Sequence, residues 1–380
     1  MLDKKHIKYF KKILPADFVL SEEGDCWAYG YDNSKMHVMP ECVLFADSKA
    51  QIKDIVKYCF ENTIPITTRG RGTGNTGGSV PIENSVVLSL EKMNKIIDID
   101  ISNRLAVVQP GVINKTLQDE LQKENFFWGP DPSSQDYSTI GGNIANNSAG
   151  PRAIKYGTPR DNILGLEFIS GTGEIHKTGV KTSKGVVGLD LTRLFVGSEG
   201  VLGILSEATL KILPLNNSVK TFEITFETLK SASDMIIMLM TQPITPYKLE
   251  FVDEQSVKLI NSIKKNHFEI NTKSAVLLEI DGDVDFIDIQ SKKLLKLMQS
   301  KEHKKITIAE NKTEIAELWK ARKSLSPALK EIGGYKINED IAVPISNLTR
   351  LLNNLSAISK KYGVRIVNFG HAGNGNIHVN

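Results

Sequence analysis

The chain has 380 residues, 41% hydrophobic and 24% charged, and 47 basic against 44 acidic side chains leave a net charge of only +3. That length buries a sizeable core and favours two or more domains, and so even a charge balance gives no reason to expect nucleic acid as a partner. Cys26, Cys42 and Cys59 make no Cys-x-x-Cys pair and no even set for a disulfide framework, and no apolar run approaches the roughly 20 residues that span a bilayer, so a reducing, cytoplasmic setting is expected.

Met1 to Leu14 is basic and amphipathic but lacks the continuous apolar stretch of a signal peptide. Lys4, Lys5, Lys8, Lys11 and Lys12 could touch an anionic membrane peripherally; a solvated helix face is the plainer reading. From Ser48, a candidate cap, Ile52, Ile55, Val56, Cys59 and Phe60 recur at helical spacing, and Gln51 would complete a capping box. A short strand at 64–67 leads into a glycine-rich loop, Arg69 to Gly78, and then the strand Val86–Leu90. Leu105–Gln109 reads as a strand, Asn114–Lys123 as a helix, and Ile163–Ile169 and Ala208–Ile212 as further strands.

Residues 214–218 read as a linker, dividing a first domain, 1–215, from a second, 216–380. After the linker the predicted order is strand (222–226), helix (230–240), strand (247–252), a short helix, strand (275–280), helix (286–299) and strand (305–309). That order is ferredoxin-like. Helices around Glu314–Lys323 and Ile345–Lys361 and a strand at Val364–Phe369 complete an α+β chain.

Three small-residue segments stand out in the first domain. In Arg69-Gly-Arg-Gly-Thr-Gly-Asn-Thr-Gly-Gly78, glycines allow backbone N–H groups to converge on an anion without interference from Cβ atoms. The loop has neither the Gly-Lys-Ser/Thr ending of a P-loop nor the long helix that follows a Rossmann GxGxxG, and alone it would serve equally as a flexible surface loop. Pro130-Asp-Pro-Ser-Ser134 and Thr139–Gly150 are rich in small and amide residues that suit packing against a large flat ligand. The third segment, Gly197-Ser-Glu-Gly-Val-Leu-Gly-Ile204, turns directly into a strand.

In this order and spacing the three segments resemble the FAD-binding half of the vanillyl-alcohol-oxidase superfamily, and within it the FAD-linked D-2-hydroxy-acid dehydrogenases. The resemblance runs from about Pro40 to Asn380. It implies a two-part, PCMH-type FAD-binding domain followed by a ferredoxin-like substrate or cap domain. It also implies that Arg69, Gly70, Arg71, Gly72, Thr73 and Gly74, with Asn75 and Gly78, wrap the pyrophosphate. Pro130, Asp131, Ser134, Thr139, Gly141, Gly142, Asn146, Ser148 and Gly150 would line the flavin, and Glu199, Gly200, Gly203 and Ile204 would contact its adenosine end or isoalloxazine edge. Some relatives tether flavin through a histidine or cysteine in these loops; neither occurs between Arg69 and Lys155, so FAD is expected to be non-covalent.

Near the C-terminus, Gly370-His-Ala-Gly-Asn-Gly-Asn-Ile-His-Val-Asn380 places His371 and His378 around a glycine-rich turn. By spacing alone, a pair packed or hydrogen-bonded without metal is the plainer reading. The resemblance makes them ligands of a divalent ion such as Zn²⁺, Mn²⁺ or Fe²⁺, which would polarise the substrate's 2-hydroxyl. Asn376 matches the family's asparagine beside flavin and substrate, and Asn374 stands where Asp is common. Trp319-Lys-Ala-Arg322 resembles the family's WxxR, making Arg322 the expected clamp for a substrate carboxylate, with Lys336 and Asn380 as further substrate contacts. His176, His267 and His303 read as exposed edges or helix ends.

The expected reaction is oxidation of a D-2-hydroxy acid of the glycolate or D-lactate class, with electrons passed from flavin to a quinone, cytochrome or partner subunit. In the resembled family a further segment carries a Glu-His pair, the third metal ligand and the base. The chain ends before it and is expected to be a fragment or truncation. The rivals are a catalytically incomplete or partner-completed flavin-binding subunit and an alkylglycerone-phosphate-synthase-like transferase. The absence of a consecutive histidine run argues against the second.

Overall fold

A computed structural model describes residues 3–182, 184–309, 311–331 and 336–380. It divides into two compact units: the first runs to Gly150 and resumes over Tyr156–Leu215, the second comprises Pro151–Lys155 and Asn216–Asn380.

The first unit holds two sheets. One has the order β1-β2-β4-β3, formed by Val19–Leu20 (β1), Cys42–Phe45 (β2), Ile66–Arg69 (β3) and Val86–Ser89 (β4). The β2, β3 and β4 strands are parallel, and β2 and β4 are buried along their whole length, which is why they read as continuous apolar runs. Helix Lys49–Glu61 lays Ile52, Ile55, Val56 and Cys59 into this core. Its expected capping box does not form: the Ser48 side chain makes no cap bond, and Gln51 Oε1 accepts instead from the Asp47 N–H at 2.9 Å. Helix Lys4–Ile13 buries Phe10, stacks Tyr9 on Tyr58 and leaves its five lysines exposed.

The other sheet joins Ile96–Asp100 (β5), Leu105–Val108 (β6), Phe126–Trp128 (β7), Ile163–Ile169 (β8), Ile175–Gly179 (β9) and Ile204–Pro214 (β10). Its order is β5-β6-β10-β8-β9, with β7 also paired to β10. Helix Asn114–Lys123 buries Leu117 and Leu121 in the core under β10 beside Trp128. All three cysteines are unpaired and buried, and burial pushes the Cys59 thiol up to about 12. Among the described residues no helix is long and apolar enough to cross a membrane.

The second unit is one sheet of order β14-β11-β13-β12-β16-β17-β15. Its strands are Ser218–Phe226 (β11), Lys248–Val252 (β12), Ser274–Gly282 (β13), Lys305–Ala309 (β14), Glu339–Ala342 (β15), Asn368–Gly370 (β16) and Asn376–Val379 (β17). The first four, all antiparallel with helices Leu229–Thr241 and Val284–Gln299 between them, are the expected ferredoxin-like part. β16 is shorter than the strand expected at Val364–Phe369.

Alternation decides the two faces of this sheet. Phe222, Ile224, Phe226, Leu249, Phe251, Val276 and Leu278 pack with the two helices and with Leu348 and Leu352 of helix Leu348–Tyr362. The alternate positions carry carboxylates: Glu223, Glu250 and Glu279. Register sets Glu250, Leu277 and Glu223 in one row and Lys248, Glu279 and Thr221 in the next.

Candidate active site

In the first unit the three small-residue segments converge. A Cβ on Gly78 would stand 2.7 Å from Glu199 Oε2 and 3.9 Å from Asn146 Oδ1, so residues of all three meet at one glycine. A Cβ on Gly70 would come within 2.5 Å of Thr139 Oγ1. The N–H groups of Gly197 and Glu199 donate to Ile144 and Ala145 O at 3.0 and 2.9 Å, which fastens the third segment to the second.

Arg69 does not reach outward. Its side chain is buried, Nη1 donates to Ser79 O at 3.3 Å, and the guanidinium lies 5.7 Å from the Tyr29 ring centre. Burial pulls its pKa below the usual arginine range, with Glu91 and Asp32 opposing. It braces the loop from within, while half-exposed Arg71 pairs with Glu91. Gly72 takes φ +61, the left-handed region that favours glycine. Thr73 and Gly74 follow, and Asn75 Oδ1 accepts from Asn33 Nδ2.

The second segment contains a helix the sequence reading missed, Ile140–Ala145, where Thr139 Oγ1 accepts from the Gly142 N–H at 3.1 Å. Gly141 lies against Pro110, a Cβ on Gly150 would meet the Asp131 backbone, Asn146 Nδ2 donates to Gly142 O, and the Ser148 N–H donates to Asn143 O. Pro130 O accepts from buried Asn114, and Ser134 O accepts from the Tyr137 and Ser138 N–H groups. In the third segment Glu199 (φ +52) and Gly200 (φ +83) are left-handed, and Gly203 leads into β10 at Ile204.

A further element was not foreseen. Residues 29–39, closed by a Tyr31–His37 bridge, lie against the glycine loop: the Asn33 N–H donates to Gly74 O at 2.9 Å. Buried Asp32 accepts from the Ser34 N–H through Oδ1, while its Oδ2 has no hydrogen-bond partner among the described residues. The Asp-Asn-Ser run signals a turn, but nothing local says which loop the turn will cover. Small residues, backbone held open by left-handed glycines and converging loops suit a bulky flat ligand with a diphosphate, which is what FAD presents.

In the second unit, His371 follows β16 and His378 sits in β17, their rings edge to face with centres 5.1 Å apart. Gly375 (φ +70) makes the turn between them, and the Asn376 N–H donates to His371 O at 3.2 Å. His371 Nδ1 bonds Glu250 Oε1, and His378 Nδ1 bonds Asp340 Oδ1. With each Nδ1–H held by a carboxylate, an ion would be taken by Nε2, the usual arrangement for a ligating histidine. Among the described residues no group of three or more His, Cys, Asp and Glu side chains is placed to hold a metal.

Arg322, on helix Lys312–Lys323, donates to Glu250 Oε2 from Nε at 3.0 Å and lies 2.7 Å away through Nη2. The two oxygens of one carboxylate, its side chain 2% exposed, are thus divided between Arg322 and His371. Burial alone would raise the Glu250 pKa, but His371 and Arg322 bring it down to about 2. The His378 hydrogen bond holds Asp340 below its ordinary range against a smaller effect of burial. One row over, Glu279 accepts from Thr221 Oγ1 at 2.9 Å and from Trp319 Nε1, and pairs with Lys248 at 2.8 Å. Asn380 Nδ2 donates to Val367 O at 3.3 Å, and Lys336 lies half-buried just ahead of β15. His267 corrects an expectation: its side chain is 8% exposed and pairs with Glu223 at 3.0 Å, because β11 supplies a carboxylate on the polar face of the sheet.

Comparisons with known proteins agree across both units. Residues 40–179 match the family described as FAD binding domain, and residues 215–380 match FAD linked oxidases, C-terminal domain. The glycolate oxidase subunit GlcD of Bacillus subtilis is 37% identical over 92% of this chain and 75% of its own length. A D-lactate dehydrogenase of Anaerostipes hadrus is 32% identical over 98% of this chain and 80% of its own. Among solved structures, an alkyldihydroxyacetonephosphate synthase superposes with a TM-score of 0.83 over 100% of this chain and 80% of its own, at 18% identity, a likeness of fold.

Proposed function

The chain belongs to the FAD linked oxidases, and from that premise we propose that it oxidises a small D-2-hydroxy acid of the glycolate or D-lactate class to the 2-oxo acid. The carrying observation is the Glu250-centred group, which holds a guanidinium and an imidazole on one sheet face. An acid bearing a hydroxyl on the next carbon offers complementary groups: an anion for Arg322 and a hydroxyl for the imidazole side.

Arg322 grips the carboxylate through guanidinium N–H donors, and Lys336 and Asn380 add polar contacts around it. His371 and His378 would hold a divalent ion, Zn²⁺, Mn²⁺ or Fe²⁺, and that ion would supply Lewis-acid polarisation of the 2-hydroxyl. Glu250 and Asp340 keep both rings in the tautomer that presents Nε2. In the first unit, Arg69–Gly78 wraps the pyrophosphate, Pro130–Ser134 and Thr139–Gly150 line the ring, and Glu199–Ile204 complete the contacts. FAD, when bound, would supply the two-electron acceptor, with a quinone, cytochrome or partner subunit as the onward acceptor.

The test is anaerobic mixing of the chain, loaded with FAD and Mn²⁺, with D-lactate, L-lactate and glycolate. Stereoselective loss of oxidised-flavin absorbance is expected. A flavin that bleaches with dithionite but with none of the acids would refute the reading.

A further inference from the structure

Arg322 and His371 come from parts of the chain with no local reason to be neighbours. Glu250 is 72 residues from the first and 121 from the second. Two features make this carboxylate more than one contact among many.

The first is how helix Lys312–Lys323 is held. Its only buried residue is Ala321, so apolar packing anchors it weakly. The polar bonds of Trp319 to Glu279 and of Arg322 to Glu250 fasten it to the sheet. The second is that the backbone beside Glu250 also locates the histidine: Phe251 pairs with Gly370, the residue before His371. The arginine is therefore placed through the Glu250 side chain and by its guanidinium lying 4.6 Å over the Phe369 ring centre, and the imidazole through that side chain and its strand together. Glu250 is the one buried residue whose side chain bonds both groups.

We propose that Glu250 is a positioning residue that sets the spacing between Arg322 and His371, and so selects acids whose hydroxyl lies on the carbon next to the carboxylate over acids whose hydroxyl lies one carbon further. This rests on the reading that Arg322 takes the carboxylate and the His371 side takes the hydroxyl. Glutamate reaches both partners; aspartate, one methylene shorter, cannot keep both bonds and leaves the spacing unset.

The experiment compares the full chain, loaded with FAD and Mn²⁺, with Glu250→Asp, Glu250→Gln and Arg322→Lys, using D-lactate and (R)-3-hydroxybutyrate in anaerobic flavin reduction. Glu250→Asp should lower kcat/KM for D-lactate about 100-fold, the scale of an ångström-sized misplacement. 3-Hydroxybutyrate should lose far less, so the ratio between the two substrates collapses. Glu250→Gln keeps the length and should preserve that ratio within about threefold, even if both rates fall. Arg322→Lys loses the two-point hold on Glu250 and should shift the ratio as Glu250→Asp does, which keeps the test decisive if the aspartate variant does not fold.

A readout without turnover accompanies this. Calorimetric titration with oxalate and malonate, which differ by one carbon between their oxygens, should show a preference for oxalate that Glu250→Asp abolishes. A ratio unchanged in both Glu250→Asp and Arg322→Lys, or equal losses for both substrates in every variant, would overturn the proposal. If the unmodified chain reduces its flavin with no 2-hydroxy acid, the function reading fails instead.

Discussion

The two candidate sites are built by opposite means. In the first unit the glycine loop and its neighbours shape space with backbone, and side chains such as Arg69 turn inward to brace it. In the second unit, side chains on alternate positions of the sheet meet in ion pairs, and the backbone only supplies register. A backbone site should be sensitive to added volume and tolerant of lost charge. A side-chain site should show the reverse.

The sharpest break of this comparison is Glu250→Ala. Removing the carboxylate leaves the Arg322 cation, its side chain 12% exposed, without that partner, and losses of this kind cost about 3–5 kcal/mol. Urea unfolding should show that loss, and a change under about 1 kcal/mol would mean that the face is wetter than its burial implies.

On the other side, Gly78→Ala adds only a methyl group, but it points at Glu199 Oε2. Overpacking of this kind costs about 1–3 kcal/mol, so FAD affinity measured by flavin-fluorescence quenching should fall about 5- to 150-fold. Unchanged affinity would show that the loops part freely.

Thr139→Ala removes the cap of helix Ile140–Ala145 and should destabilise the first unit by about 1 kcal/mol in chemical denaturation.

The smallest expected effect concerns Glu167, a charged exception in the first unit. Burial would raise its pKa, but Ser206, Lys49 and Lys177 together hold it below the ordinary carboxylate range. A depressed pKa stabilises the folded state above the unfolded value, about 4, and the contribution is lost as pH falls through the folded value. Glu167→Gln should therefore flatten the decline of the unfolding midpoint below about pH 4. Parallel profiles for the two chains would remove Glu167 from that account.

What could be read in advance follows the same division. Helix Asn114–Lys123 and strand Ile163–Ile169 occupy the residues that periodicity assigns them, because each carries its pattern in consecutive positions. The glycine loop was legible for the same reason: a tight backbone path demands particular residues in a row. The hairpin over that loop was not, since the Asn33 bond to Gly74 depends on a fold formed elsewhere. Nor was the bond from Glu250 to Arg322 and His371 visible, because sheet register brings it about. The short helix Ile140–Ala145 escaped notice because its glycines and asparagine mask a helical pattern.

Five residues carry a last consequence. Pro151–Lys155 belong to the second unit although the chain on both sides of them belongs to the first. Ile154 packs onto Gly373 of the histidine turn, and Lys155 pairs with Asp281. The chain therefore passes between the units three times, and one proteolytic cut near residue 215 would not release an intact second unit. A fragment starting at Asn216 would lack the isoleucine that covers Gly373 and the lysine that answers Asp281. A second unit expressed on its own from residue 216 would need its five-residue strap supplied separately.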